Sequence, residues 1–295
     1  MGRVGASAAI SVLHSGVAED VLVNDLRPEV AEGEAMDLAH GMSFLPRAVV
    51  RAAALDELRT ADAVVIAAGK NGTASQSRLD LAKENAAIVE QIAGTFRGYE
   101  GLIVVVTNPV DVLTYLVART SRLPVERVLG TGTMLDTARL RHVIGRTLNV
   151  AANSVHAQVV GEHGDSEVVL WSSARAAGMP LRRWAAWDPA KEPALGDEVR
   201  RAAYEIILRK GATNHAIGAV TAALLRTYLR GENRVLTVSR VQTGACGVRD
   251  VALSLPAVVG GAGAMTVLEP EMNDAERAGL AASASLLQAS LAAIA

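Results

Sequence analysis

Three short stretches of this chain are apolar at every position: Val21-Leu22-Val23, Ala63-Val64-Val65-Ile66-Ala67-Ala68-Gly69 and Leu102-Ile103-Val104-Val105-Val106. A strand with one wet face alternates apolar and polar residues. A run without alternation must be covered on both faces, the usual state of strands in a parallel sheet. Helical stretches follow the second and third runs, over 77–96 and 109–119. Strand and helix in this rhythm predict βαβ units and a doubly wound α/β fold. After about Gly130 the pattern changes. Helices dominate there, with a strand pair around Val155–Val160 and Val168–Leu170 and a later β stretch over Val235–Val241 and Val248–Leu253.

Length and composition narrow the class of protein. The 295 residues suit two domains, and a chain that is 50% hydrophobic and 20% charged belongs to a folded globular protein. A formal net charge of -2, with no basic arm, argues against a nucleic-acid partner. The apolar runs are strand-length, far short of a bilayer span, so no membrane association is expected. Ala6 to Leu13 is apolar but is followed by Glu19 and Asp20, unlike a signal peptide. The lone Cys246 forms neither an internal disulfide nor a zinc site, so no metal is expected, and it is read as a small buried hydrophobe. A reducing, cytoplasmic setting fits.

The start of the chain carries a nucleotide-binding signal. Met1-Gly2-Arg3-Val4-Gly5 opens a helical stretch that is followed by the strand ending at Asp25. Gly2 and Gly5 match the second and third glycines of the Gly-Xaa-Gly-Xaa-Xaa-Gly fingerprint, where the backbone approaches a pyrophosphate and a helix packs on the sheet. Asp25 is placed to accept from a ribose diol, and its charge would repel a 2'-phosphate, which favours NAD over NADP. The fingerprint's first glycine and the strand before it are not in the chain. Met1 is therefore expected to stand between the first two glycines, with the natural start upstream or the chain truncated. A truncated chain would leave central-sheet groups unpaired and be poorly stable. The expected organisation is a Rossmann-type NAD-binding domain over 1–130, its first strand missing, and an α+β catalytic domain over 131–295.

Three further motifs carry chemistry: Gly130-Thr131-Gly132-Thr133-Met134-Leu135-Asp136-Thr137-Ala138-Arg139, Gly161-Glu162-His163-Gly164-Asp165-Ser166, and Thr107-Asn108-Pro109-Val110-Asp111 at a strand end. Asp136 and Arg139 share a helix face; alone they would read as a surface pair worth about 0.2–0.5 kcal/mol. His163 alone would read as a loop histidine. Together and in this order the motifs closely resemble the L-lactate/malate dehydrogenase family. The segments Ala31–Leu38 and Ser77–Leu81 resemble it too, so the resemblance covers essentially the whole chain.

The resemblance implies roles. His163 would donate a proton to the keto oxygen in reduction and take it back in oxidation, a task suited to an imidazole. Asp136 would hold its other ring nitrogen, and Arg139 would grip the substrate carboxylate with a bidentate fork. Arg78 would polarise the carbonyl from a mobile loop. Asn108 would bridge substrate and nicotinamide, Thr213 would line the substrate pocket, and Ile217 and Gly69 would contact the cofactor.

It also implies a substrate and a regulator. The residue six positions before the loop arginine separates lactate enzymes, with glutamine, from malate enzymes, with arginine. Here it is Gly72, which is neither and leaves room for a bulkier 2-keto acid. The second half looks more like bacterial lactate dehydrogenases, which implies interconversion of L-lactate and pyruvate. Malate or another 2-hydroxy acid is the alternative, and a silent NAD binder stands further off. Arg141 and His156 match positions that bind fructose bisphosphate across a subunit interface, which implies an activated homotetramer.

Overall fold

The computed structural model describes residues 1–70 and 78–294, and of Arg78 the backbone only. In chain order it contains α1 (Arg3–Ser15), β1 (Asp20–Val23), α2 (Pro28–His40), β2 (Val49–Ala52), β3 (Ala63–Ile66), α3 (Arg78–Thr95), β4 (Leu102–Val105), α4 (Val110–Ser121), β5 (Val128–Gly130) and α5 (Met134–Leu148). Five two-residue strands follow: β6 (Val155–His156), β7 (Val159–Val160), β8 (Val168–Val169), β9 (Arg175–Ala176) and β10 (Met179–Pro180). Then come α6 (Glu192–Lys210), α7 (His215–Leu229), β11 (Arg234–Thr243), β12 (Arg249–Gly260), β13 (Gly263–Val267) and α8 (Asp274–Ile294).

The uninterrupted apolar runs do what their composition requires. Every residue of β4 is buried, and its side chains divide between two cores. Ile103 and Val105 meet Val89 of α3 and Phe96 just after it, Leu113 and Val117 of α4, and Leu280 and Leu287 of α8. Leu102 and Val104 meet Val12 of α1 and Leu224 and Leu225 of α7 on the opposite face. This is the period-two alternation of a strand with apolar layers on both sides. Fully burying each such side chain contributes about 1.5–3 kcal/mol. Mixed α/β architecture around a parallel sheet is the expected fold class, and it is observed.

The sheet differs from expectation in its second half. Parallel β3, β4 and β5 continue into three antiparallel strands, giving the order β13-β12-β11-β5-β4-β3. β11 and β12 are 10 and 12 residues long, well beyond the runs visible in the sequence. β12 is buried along most of its length because it too is covered on both faces. β1 and β2 form a separate parallel pair, packed on Ala9 and Leu13 of α1 and Ala35 and Leu38 of α2. Cys246 is half-buried in a turn at φ 51° and not the buried hydrophobe expected.

Candidate active site

The C-terminal ends of β4 and β5 bring the motif residues together. The turn from β5 into α5 requires Gly132: it has φ +47°, and a Cβ there would lie 2.1 Å from Ser254 Oγ. This turn starts α5, whose first two turns carry Asp136 and Arg139. The connection from β7 to β8 carries His163. His163 Nδ1 lies 2.5 Å from Asp136 Oδ2, and Arg139 Nη1 donates to Asp136 Oδ1 at 2.8 Å. Asp136 is 2% exposed and the Arg139 side chain 12%, so this is no surface pair.

The electrostatics follow from the geometry. Burial opposes ionisation of Asp136, yet the adjacent imidazole and guanidinium outweigh it and hold the carboxyl below its usual range. Burial likewise opposes the imidazolium of His163. The Asp136 carboxylate overcomes this and lifts the ring to about 9. With Nδ1 committed to Asp136, Nε2 is left to meet a substrate. Glu167, buried four residues beyond His163, is pushed up to about 8 by burial and by Asp136.

The remaining predicted residues fall into distinct groups. Gly2 is the N-cap of α1 with open space around it, and Gly5 lies in the helix's first turn. The first intrahelical bond runs from Ala6 N–H to the Gly2 carbonyl, leaving the N–H groups of residues 3–5 without intrahelical partners. Asp25 follows β1; its carboxylate meets the Met1 amino group and accepts from Arg27 N–H at 3.0 Å. An uncapped helix start beside an open glycine, with a carboxylate one strand away, is the donor and acceptor set that a dinucleotide's pyrophosphate and ribose need. Asn214, between Thr213 and Ile217, donates to Ser7 Oγ of α1 at 2.8 Å, tying that segment to the same helix.

Asn108 is exposed at the end of β4, and Gly69 at the end of β3. A Cβ at Gly69 would come within 2.5 Å of Thr107 Cγ2. Arg78 begins α3, and Gly72 lies outside the described residues. Arg141 donates from Nε to the Ala157 carbonyl at 3.1 Å, beside exposed His156. The cross-strand register sets Arg175 opposite His156.

Sequence reasoning missed three residues here. Asn85 of α3 accepts from Lys70 N–H at 2.7 Å and donates to the Asn108 carbonyl at 3.1 Å, stapling the ends of β3 and β4. Its signal was a polar residue on the apolar stripe of Ala82, Ala86, Val89 and Ala93. Ser283 of α8 accepts from Glu162 N–H at 2.8 Å, and no local pattern foretold it. Asp111 closes the Thr107–Asp111 motif, where nothing in the sequence gave it a role. Its Oδ2 accepts from His163 N–H at 2.7 Å.

Comparison with known proteins agrees along the whole chain. Residues 1–130 match the lactate/malate dehydrogenase NAD binding domain, and residues 133–295 match the lactate/malate dehydrogenase alpha/beta C-terminal domain. The L-lactate dehydrogenase of Bacillus caldotenax is 42% identical over 300 residues, covering 99% of this chain and 94% of that protein. That of Bacillus velezensis is 39% identical over 298 residues, with the same coverage. The crystal structure of a minor L-lactate dehydrogenase from Enterococcus mundtii superposes with a TM-score of 0.95 at 38% identity, covering 99% of this chain and 95% of the other.

Proposed function

The chain belongs to the lactate/malate dehydrogenase family, and on that premise we propose that it is an NAD-dependent L-lactate dehydrogenase in which His163 carries the proton. The observation that carries the chemistry is the buried Arg139–Asp136–His163 chain of hydrogen bonds. NAD, when bound, supplies or accepts the hydride. Gly2, Gly5, Asp25, Gly69, Asn108 and Ile217 would hold it. His163 gives its proton to the keto oxygen in reduction and takes it back in oxidation, while Asp136 fixes the ring and favours its charged form. Arg139 keeps donors beyond the one used on Asp136 for the substrate carboxylate. Asn108 and Thr213 orient the substrate, and Arg78 polarises its carbonyl.

This reading places the NAD-binding domain at 1–130, the catalytic domain at 131–295, and the enzyme in the cytoplasm. Among the described residues no helix is long and apolar enough to cross a membrane. We further propose a homotetramer activated by fructose bisphosphate at Arg141 and His156. Arg141 has no carboxylate partner among the described residues, and burial and then Arg234 lower its pKa, so a phosphate there would relieve an unpaired charge. Gly72 favours a second reading, a broader 2-hydroxy acid dehydrogenase.

One assay separates these readings: NADH oxidation with pyruvate, oxaloacetate and 2-ketoisocaproate, each with and without fructose bisphosphate. Pyruvate is expected to be preferred and to respond to the bisphosphate. Preference for another acid would retain the hydride chemistry and change the substrate. An unchanged rate with the bisphosphate would remove the activator site.

The pH dependence has a definite sign. The imidazolium is the proton donor, and its pKa is raised to about 9. Pyruvate reduction should hold through neutral pH and fall as pH rises through about 9, while lactate oxidation rises over the same range. The kcat/KM profiles in both directions check this. A reduction limb near an ordinary histidine value of about 6.5 would mean that Asp136 does not tune the ring.

A further inference from the structure

We propose that Asp111 is a second positioning carboxylate, one that fixes the His163 backbone and sets the proton affinity of the His163 ring from behind. The inference rests on the reading of His163 as the proton carrier. Asp111 is in the first turn of α4, where the helix N-terminus favours an anion, and it is 2% exposed. Its Oδ2 accepts from His163 N–H at 2.7 Å, joining the start of α4 to a loop 52 residues further along the chain. Among the described residues Oδ1 has no partner at ordinary hydrogen-bond distance, and Ser239 Oγ, which faces this carboxylate, has none either, so the His163 N–H is the one close bond that the buried carboxylate makes. A buried group with so little satisfaction is costly unless it serves a specific neighbour.

The neighbour is the imidazole. Asp136 and Asp111 both favour its charged form, while burial and Arg139 oppose it, and the buried Glu167 carboxyl, which the His163 charge holds down, faces the same cluster. Facing Asp111 are the Ser239 hydroxyl from β11, His163, and Glu162 from the same loop. Burial pushes the Asp111 carboxyl up to about 6; the Ser239 hydroxyl, the His163 N–H and the His163 charge hold it from rising further, and Glu162 adds to the rise. Asp111 is thus an anion at neutral pH and loses its charge on the acid side. Asp136 grips the ring, whereas Asp111 grips the backbone that carries it.

Asp111→Asn separates charge from shape, because the amide retains an acceptor for the His163 N–H. The test is an NMR titration of the His163 ring in the protein without substrate, with kcat/KM profiles for pyruvate alongside. The ring is expected to titrate about one unit lower in Asp111→Asn, a tenfold shift in proton affinity, and the alkaline limb of reduction to move with it. A folded Asp111→Asn protein whose ring titrates as in the unsubstituted protein would overturn the inference, leaving Asp111 a structural anchor. Should that variant fail to fold, the unsubstituted protein decides. The His163 ring is expected to show a second, acid-side step as Asp111 takes up a proton, and a ring that titrates in one step with no acid-side response overturns the proposal. The ring is read without turnover. Inactivity toward pyruvate would therefore defeat the lactate reading while leaving the Asp111 question to be answered by the titration.

Discussion

Replacing His163 with asparagine is expected to lower kcat/KM for pyruvate reduction by about 10²- to 10⁴-fold while leaving NADH affinity near its original value. Asparagine is polar and of similar reach but cannot give up a proton at working pH. The loss should fall on kcat more than on KM, because proton transfer belongs to the transition state and the carboxylate grip of Arg139 remains. NADH binding should survive because the groups proposed to hold the cofactor, in α1, after β1, at the ends of β3 and β4 and at Ile217 of α7, do not include the His163 side chain. Steady-state kinetics with a fluorescence titration of NADH check both halves. A variant retaining nearly full kcat would show that another group carries the proton.

Asp136→Asn should be at least as damaging, about 10³- to 10⁴-fold, by the logic of a carboxylate that orients a catalytic imidazole. Here the consequence is double, because Asp136 meets His163 through one oxygen and Arg139 through the other. An amide must turn its nitrogen toward one of them. Facing the guanidinium it places donor against donor; facing the ring it imposes the wrong tautomer. Burial of His163 would also act without its main counterweight, so the ring should fall well below about 9 and the alkaline limb of reduction should move down. KM for pyruvate should rise together with the drop in kcat, since Arg139 loses its orienting partner. A changed kcat with an unmoved pH limb would mean that Asp136 positions the ring without tuning it.

Part of this fold and site is legible in the order of residues, for reasons that can be named. β4 is readable because coverage on both faces forbids polar residues, which leaves an unbroken apolar run. The Asp136–Arg139 contact is readable because three residues along a helix return to one face. Asn85 leaves a weaker trace, a polar residue where α3 should be apolar. His163 is different: nothing local separates it from an ordinary loop histidine, and only the ordered set of motifs marks it out.

Other features have no local trace. β11 and β12 carry mixed residues such as Ser239, Arg240, Gln242 and Ser254, which hide their length and their junction with β5. The bond from Asp111 to His163 spans 52 positions, and that from Ser283 to Glu162 spans 121. The boundary between the two kinds of knowledge is physical. Residue order by itself determined what depends on neighbours a few positions away: the fully apolar strands and the longer helices beside them, which faces are apolar, and which side chains share a helix turn. Only the tertiary structure decided that Asp111 holds the loop of His163, that β11 extends the parallel sheet, and that Asp136 is buried between a cation and an imidazole. Those contacts arise from packing between segments distant in the chain, and burial then turns the proximity of charges into raised and lowered proton affinities.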